Sequence, residues 1–379
     1  VYLATVLLSI LFAVSACTQR QSEATVTIGV IAPRSGEFAP LGEATVNGVQ
    51  LAVDEINGTT GVILGGRRAR IIVRAEDDRG EPATAEAALK KLADARVAAV
   101  IGPVQPDTAQ RAAGAAATHG VPLIVPAVTD PGLTGSGPLI FRACYDDRLA
   151  GEALAVYAFN SLRARRAAVL FDTATPYNVT LARSFRARFT ALGGTVVAEE
   201  AFTDERMVVE FRSILERVRR ARPTVLLSPN YYRATAAIAT QLREMGVRIP
   251  ILAGEGVNSP DFPLIGGEAV EGTVFPVHFA PDESRQAVVR FRARYLSAYK
   301  RDPDAFAALA YDAAKLLHAA LVRAGSTDAE AIRAALVQTQ NFPGVTGTMT
   351  YAGAQTPRKD VPLLRVKNGA FSFETAVPP

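Results

Sequence analysis

Two cysteines and three histidines are all that 379 residues provide of the best metal ligands. His119, His278 and His318 lie far apart in the chain. If Cys17 is consumed at the N-terminus, as argued below, Cys144 stands alone. No intramolecular disulfide and no cysteine metal cluster can then form, and Cys144 reads as a small core residue. His119 falls at the end of an expected helix and His318 inside an apolar one, which gives both structural roles. GxGxxG, the P-loop, GxSxG and HExxH are all absent, so no cofactor, no metal and no enzyme activity are expected. Lysine is scarce: of 41 basic residues only 6 are Lys, and the net charge is +4. The arginine clusters at 67–70 and 217–222 are not interleaved with aromatics and glycines, as a nucleic-acid site would require. The second lies on the polar side of an amphipathic stretch, 207–221, and reads as a solvated helix face; no nucleic-acid partner is expected. Long apolar runs are also missing. Residues 3–14 give about a dozen and 309–321 are interrupted, against the ~20 that span a bilayer.

The short N-terminal run has another use. A dozen apolar residues suit the h-region of a secretory signal. They end in Val14-Ser15-Ala16-Cys17, an aliphatic residue and two small ones before a cysteine, which resembles the bacterial lipobox. The expectation is a lipoprotein signal peptide over 1–17, lipid on Cys17, a linker over 18–24, and attachment to a membrane through the acyl chains.

From residue 25 onward strands and helices alternate. Apolar strands are expected at 26–32, 70–75, 97–102, 121–125 and 139–143. A second series follows at 167–171, 195–199, 224–227 and 249–253, with 273–279 after it. Between them lie helices at 46–56, 82–92, 108–119, 148–161, 179–192, 207–221 and 233–245. Three further helices, 284–299, 305–324 and 328–338, precede a hairpin over 361–373 turning at Asn368-Gly369. Continuous apolar strands alternating with amphipathic helices indicate parallel sheets covered on both faces. Two such series in a chain this long indicate two doubly wound α/β lobes.

In open α/β sheets ligands bind beyond the carboxyl ends of the strands. Those ends carry Gln105 and Thr108, Ala127 and Thr129, Tyr177, Tyr231 and Glu255. Glu255 is the oddest: an apolar strand stops on a lone carboxylate between Gly254 and Gly256. Singly, these are a turn cap, surface aromatics and an acid awaiting an arginine. Together, at matching positions of both series, they outline a ligand cleft between two lobes.

The segments TIGVIAPRSGEFAPLGEATVNGVQLAVDEIN, AEDDRGEPATA, VIGPV, GVPLIVPAVTDPGLT and FRACYDD follow in order. PYNVTLARSF, AGEGV, AVEGTVF and FPGVTGTMTY complete the series. In this order and spacing the chain resembles the periplasmic solute-binding proteins of branched-chain amino-acid ABC transporters, the Leu/Ile/Val-binding family. The resemblance covers about 25–373. It implies the type I periplasmic-binding fold, two lobes joined by a three-strand hinge, with lobe 1 at 25–143 and 279–346 and lobe 2 at 144–278 and 347–379. The crossings would fall near 143–146, 275–278 and 346–351. It implies an extracytoplasmic protein that closes on an amino acid and delivers it to ABC permease subunits.

By the same resemblance Thr129 and the Ala127 carbonyl meet the ligand from lobe 1. Tyr177 and Tyr231 close over it, and Glu255 receives its ammonium. One position departs. Where the family's amino-acid binders use a serine to hold the ligand carboxylate, this chain has Pro106, which offers neither hydroxyl nor N–H. Gln105, Thr108, the free N–H groups of the helix starting near Thr108, or Arg34 are the stand-ins within reach; Asp107 would repel a carboxylate, and Leu41 replaces a large aromatic. An amino acid is the first expectation. A small amide, amine or aromatic or carboxylic metabolite is the alternative, as are a sensor or a lipoprotein activator of cell-wall synthesis with the same lobes.

Overall fold

The computed structural model describes residues 24–204 and 210–379. Its first sheet holds β1 (Ala24–Ala32), β2 (Val62–Leu64), β3 (Arg67–Asp77), β4 (Val100–Ile101), β5 (Leu123–Val125) and β6 (Ile140–Arg142), in the order β2-β3-β1-β4-β5-β6. All its pairs are parallel except β2 with β3. That hairpin turns through Gly65 and Gly66, both at positive φ (54° and 78°), the conformation a two-residue turn demands and glycine supplies. The second sheet begins with β7 (Arg166–Asp172), β8 (Thr195–Phe202), β9 (Val225–Ser228), β10 (Ile251–Ala253) and β11 (Val274–Pro276). A small sheet of β12 (Phe342–Gly344), β13 (Gly347–Thr350) and β14 (Arg358–Lys359) follows. Then β15 (Val361–Lys367) and β16 (Ala370–Val377) complete the second sheet as β16-β15-β11-β10-β9-β7-β8. The last two form the expected hairpin, with Asn368 and Gly369 at φ 53° and 71°.

Around the first sheet run α1 (Ala39–Asn57), α2 (Pro82–Asp94) and α3 (Pro106–His119). Around the second run α4 (Asp147–Val156), α5 (Pro176–Ala191), α6 (Arg212–Ala221), α7 (Tyr232–Glu244) and α8 (Asp261–Gly266). The chain then returns to the first sheet with α9 (Gln286–Tyr299), α10 (Ala305–Ala324) and α11 (Ala329–Val337). Each sheet is covered on both faces because its central strands are apolar at nearly every position, and successive side chains feed opposite cores. Val26, Ile28 and Val30 of β1 pack with α1, α10 and α11, whereas Ile31 packs with α2 and α3. Ala167, Val169 and Phe171 of β7 join α4 and α5, whereas Ala168 and Leu170 join α6 and α7. The expected mixed α/β, doubly wound architecture is what the chain adopts.

Several elements differ from the sequence expectation. β2 is new, and β3 reaches back to Arg67 to pair with it. The helix expected over 207–221 begins at Arg212, because the Phe211 N–H is taken by the Gln241 side chain; residues 207–209 lie outside the described ones. Its arginines face solvent and pair with acids, Arg217 with Glu200 and Arg219 with Glu216. The helix starting at α4 ends in a π-helical turn, Tyr157–Ser161. The strand expected at 249–253 starts only at Ile251, since Arg243 takes the carbonyls of Val247 and Ile249. α10, by contrast, spans the 20 residues expected of it. It is long and apolar enough to cross a membrane, yet 61% of its apolar window is buried in the core. The signal segment and Cys17 lie outside the described residues.

The crossings between sheets are built from buried polar groups. The first follows β6, at 143–146, and the second follows β11. The third comes later than 346–351: Met349 and Tyr351 pack in the first-sheet core, and Gln355 donates to the carbonyls of Gly137 and Ile140. Only at Val361 does the chain enter the second-sheet core. Fully buried Lys359 marks that point. Its ammonium donates to the Ala143 carbonyl (3.1 Å) and to Thr346 Oγ1 (2.6 Å), and Thr346 is held in turn by Asp312. Cys144 is buried beside them, its thiol pushed up to about 11 by desolvation.

Candidate functional site

β5 delivers the chain into 126–130, and that loop is held from behind. The Arg142 side chain is wholly buried and donates to the carbonyls of Val128 (3.0 Å) and Asp130 (2.5 Å). Cys144 Sγ adds a third bond, to Val128 O at 3.2 Å. A loop whose carbonyls are spoken for on both sides of Thr129 presents that residue in one orientation.

The second sheet uses amides for the same purpose. Buried Asn230, just past β9, accepts from the Asp172 N–H and donates to the Leu170 carbonyl and to Ser228 Oγ. This fixes the strand end that carries Tyr231, which is 45% exposed. Tyr177 enters at the first turn of α5, one residue after Pro176, where a proline costs no hydrogen bond. Its phenol oxygen accepts the Gly256 N–H at 3.4 Å, and its ring lies 5.9 Å from that of Tyr231. Gly254 is required here. A Cβ at 254 would stand 2.3 Å from the Tyr177 oxygen, closer than atoms pack.

These elements enclose a cleft of about 390 Å³ whose walls come from both sheets. Ala127 and Thr129, beyond β5, lie on one side, and Asp147 at the start of α4 lies with Tyr177, Tyr231 and Glu255 on the other. Glu255 opens a 3₁₀ turn directly after β10. Its side chain lines the cleft and is 30% exposed. Burial, reinforced by the charge of Asp147, pushes its carboxyl up to about 8, against the pull of the His278 main-chain N–H. His278 Nε2 stands 3.3 Å from the same carboxylate, but neither ring nitrogen has a hydrogen bond of proper geometry. Burial pushes the imidazole down to about 3. The contact is therefore not an ion pair at neutral pH, and the ring stacks on Tyr145 instead, at 4.0 Å. Asp147 is 6% exposed. Burial raises its carboxyl to about 7, with the Thr129 hydroxyl pulling down and Asp146 pushing up.

The structure thus brings five sequence-chosen residues, Ala127, Thr129, Tyr177, Tyr231 and Glu255, to one cleft. It does not bring Gln105 and Thr108 there. Thr108 is buried and its hydroxyl donates to the Gln105 carbonyl at 3.1 Å. Gln105 turns its side-chain oxygen to Gly80, away from the cleft. Pro106 itself lines the wall, whereas Arg34 and Leu41 do not. Asp147 and His278 escaped the sequence reading. Asp147 follows Asp146, which caps α4 by accepting from the Leu149 N–H, so the pair reads as helix capping and nothing more. Among the described residues no group of acids, histidines and cysteines could hold a metal ion.

The sequence model of the periplasmic binding protein family matches residues 25–370. A Leu/Ile/Val-binding protein, BraC3, of Rhizobium johnstonii is 32% identical over 332 residues, 87% of this chain and 88% of that protein. The leucine-binding protein LivK of Thermotoga maritima superposes with a TM-score of 0.71 at 33% identity, covering 93% of this chain and 99% of that one. The branched-chain amino acid transporter substrate-binding protein LivJ of Streptococcus pneumoniae, solved with isoleucine, gives 0.70 at 30% identity, covering 94% and 100%.

Proposed function

Because the chain belongs to the periplasmic binding protein family, we propose that it is the extracytoplasmic substrate-binding component of an ABC importer. It closes two lobes on a small solute bearing an ammonium group, an amino acid or a relative of one. The observation that carries this reading is Glu255. A carboxylate held protonated by its own burial is costly to ionise until a cation arrives, and the Glu255–Thr129–Ala127 arrangement offers that cation two further acceptors. In this reading Thr129 and the Ala127 carbonyl seat the ammonium from the first lobe, Glu255 receives it from the second, and Tyr177 and Tyr231 cover it. Closure is a population shift between open and closed forms, turning on the three crossings. The proposed lobes are 25–143 with 279–359, and 144–278 with 360–379. The partner is a membrane permease, and lipid on Cys17 holds the protein to the membrane. The solute is delivered chemically unchanged.

The test is a thermal-shift panel on protein unfolded and refolded to remove carried-over solute. The panel holds amino acids, their decarboxylated amines, their deaminated acids and simple amides. A ligand at 100 times its dissociation constant adds about 2.7 kcal/mol. Ammonium-bearing compounds should raise the melting temperature and deaminated acids should not. Glu255→Gln should lose about 1.5–3 kcal/mol of that binding, the strength of a charge-assisted hydrogen bond. A panel in which nothing binds, or in which deaminated acids bind as well, sinks the proposal.

A further inference from the structure

The cleft is more acidic than one ammonium requires. Asp147 and Glu255 both line it, and Asp130 stands at its rim. Among the described residues no Lys or Arg lines it. The guanidinium of Arg142, behind the 126–130 loop, is committed to the carbonyls of Val128 and Asp130. The wall where a ligand carboxylate would rest is Pro106, which has no N–H and no hydroxyl. The next residue of α3 is Asp107, an acid in the helix's first turn. Thr108, the following donor, is buried with its hydroxyl turned to Gln105 O. The cleft therefore holds two carboxylates and no basic side chain, and at Pro106 only the main-chain N–H groups of the first turn of α3, set beside the charge of Asp107, are left to meet an anion.

Resting on the reading above that this cleft takes an ammonium, we infer that its ligand is a net cation: an aliphatic amine or diamine with no free carboxylate, met by Asp147 as well as Glu255. A zwitterion would ionise one acid and set its own carboxylate against Pro106 and Asp107. An amine ionises the same acid without that cost, and a diamine can engage both. The high carboxyl pKa values are consistent with this, since each acid gives up its proton only to an arriving positive charge.

The experiment is calorimetric titration of the refolded protein at pH 7 with matched pairs: leucine against 3-methylbutylamine, lysine against 1,5-diaminopentane, arginine against agmatine. In at least one pair the decarboxylated member should bind ten-fold or more tightly than its amino acid. Asp147→Asn should narrow that preference by at least ten-fold, because the amide neither attracts the cation nor repels the carboxylate. If the amino acids bind as well as or better than their amines, the inference is overturned while the ammonium-binding function stands. If amines win but Asp147→Asn leaves the preference intact, the role given to Asp147 is wrong. If neither member of any pair binds, both this inference and the proposed function fail. The matched pairs are read on the unaltered protein, so a variant that fails to fold does not decide the matter.

Discussion

Glu255 should make the ligand-free protein less stable as pH rises through neutrality. Folded, its carboxyl titrates at about 8 against an ordinary 4.5. Between those values the folded state holds a proton that the unfolded chain has released, so stability falls with pH until about 8 is reached. Asp147 acts in the same sense up to about 7. His278, depressed to about 3, acts oppositely but has finished by its ordinary 6.5. Lys359, depressed to about 8, also acts oppositely but begins only there. Between pH 6.5 and 8 neither His278 nor Lys359 opposes the cleft acids, and comparison with a Glu255 variant separates Glu255 from the other buried carboxyls. Over those 1.5 pH units Glu255 alone should remove about 2 kcal/mol, at 1.36 kcal/mol per unit. For a lobe of this size that is roughly 4–8 °C of melting temperature. Glu255→Gln, an uncharged amide of the same shape, should flatten the decline and melt above the parent at pH 8. The assay is scanning calorimetry of refolded, ligand-free parent and variant at pH 6.5, 7.25 and 8. Parallel curves for the two proteins would refute the reasoning, because burial would then not be holding a proton on Glu255.

Three other outcomes follow from the same geometry. Gly254→Ala puts a Cβ where the Tyr177 hydroxyl sits; it should cost about 1–3 kcal/mol of stability and weaken ligand binding at least ten-fold, read by melting and titration. Lys359→Met strips the buried cation from Thr346 and the neighbouring Asp312. It should destabilise by about 3–5 kcal/mol in denaturant unfolding, and Asp312→Asn in the same chain should restore part of the loss. Cys17→Ser should move the protein from the membrane to the soluble fraction of the cell envelope, and unchanged membrane association would remove the lipid anchor from the account.

The fold was legible because its central strands carry nearly continuous apolar runs. β1, β7 and β9 supply both faces of their sheets, and their short length between turn residues, alternating with amphipathic helices, separates them from buried helices. Glu255 was legible for the converse reason: a charge at the end of such a strand, flanked by glycines, has no structural errand. What stayed hidden depends on contacts between distant residues. Nothing local says that Asp146 caps α4 while its neighbour Asp147 faces the cleft. Nothing local says that His278, 23 positions after Glu255, returns to stand beside it. Gln105 and Thr108 failed as expectations because a proline at the start of a helix frees its neighbours to bond locally, and Thr108 did so with Gln105. The third crossing was placed too early because β13 and β14 look like any strands until Tyr351 and Gln355 are seen bonded to the first lobe.

The burial of Cys144 has a practical consequence. Its thiol is shut inside the first crossing, engaged by the Val128 carbonyl and far from its thiolate form at neutral pH, so alkylating dyes will pass it by. Once Cys17 is trimmed from the expressed chain, a cysteine introduced on the rim of the cleft becomes the sole labelling point without any native residue being sacrificed. The protein is in that sense already prepared as an optical reporter: one fluorophore at the rim, and the arrival of the solute read as light.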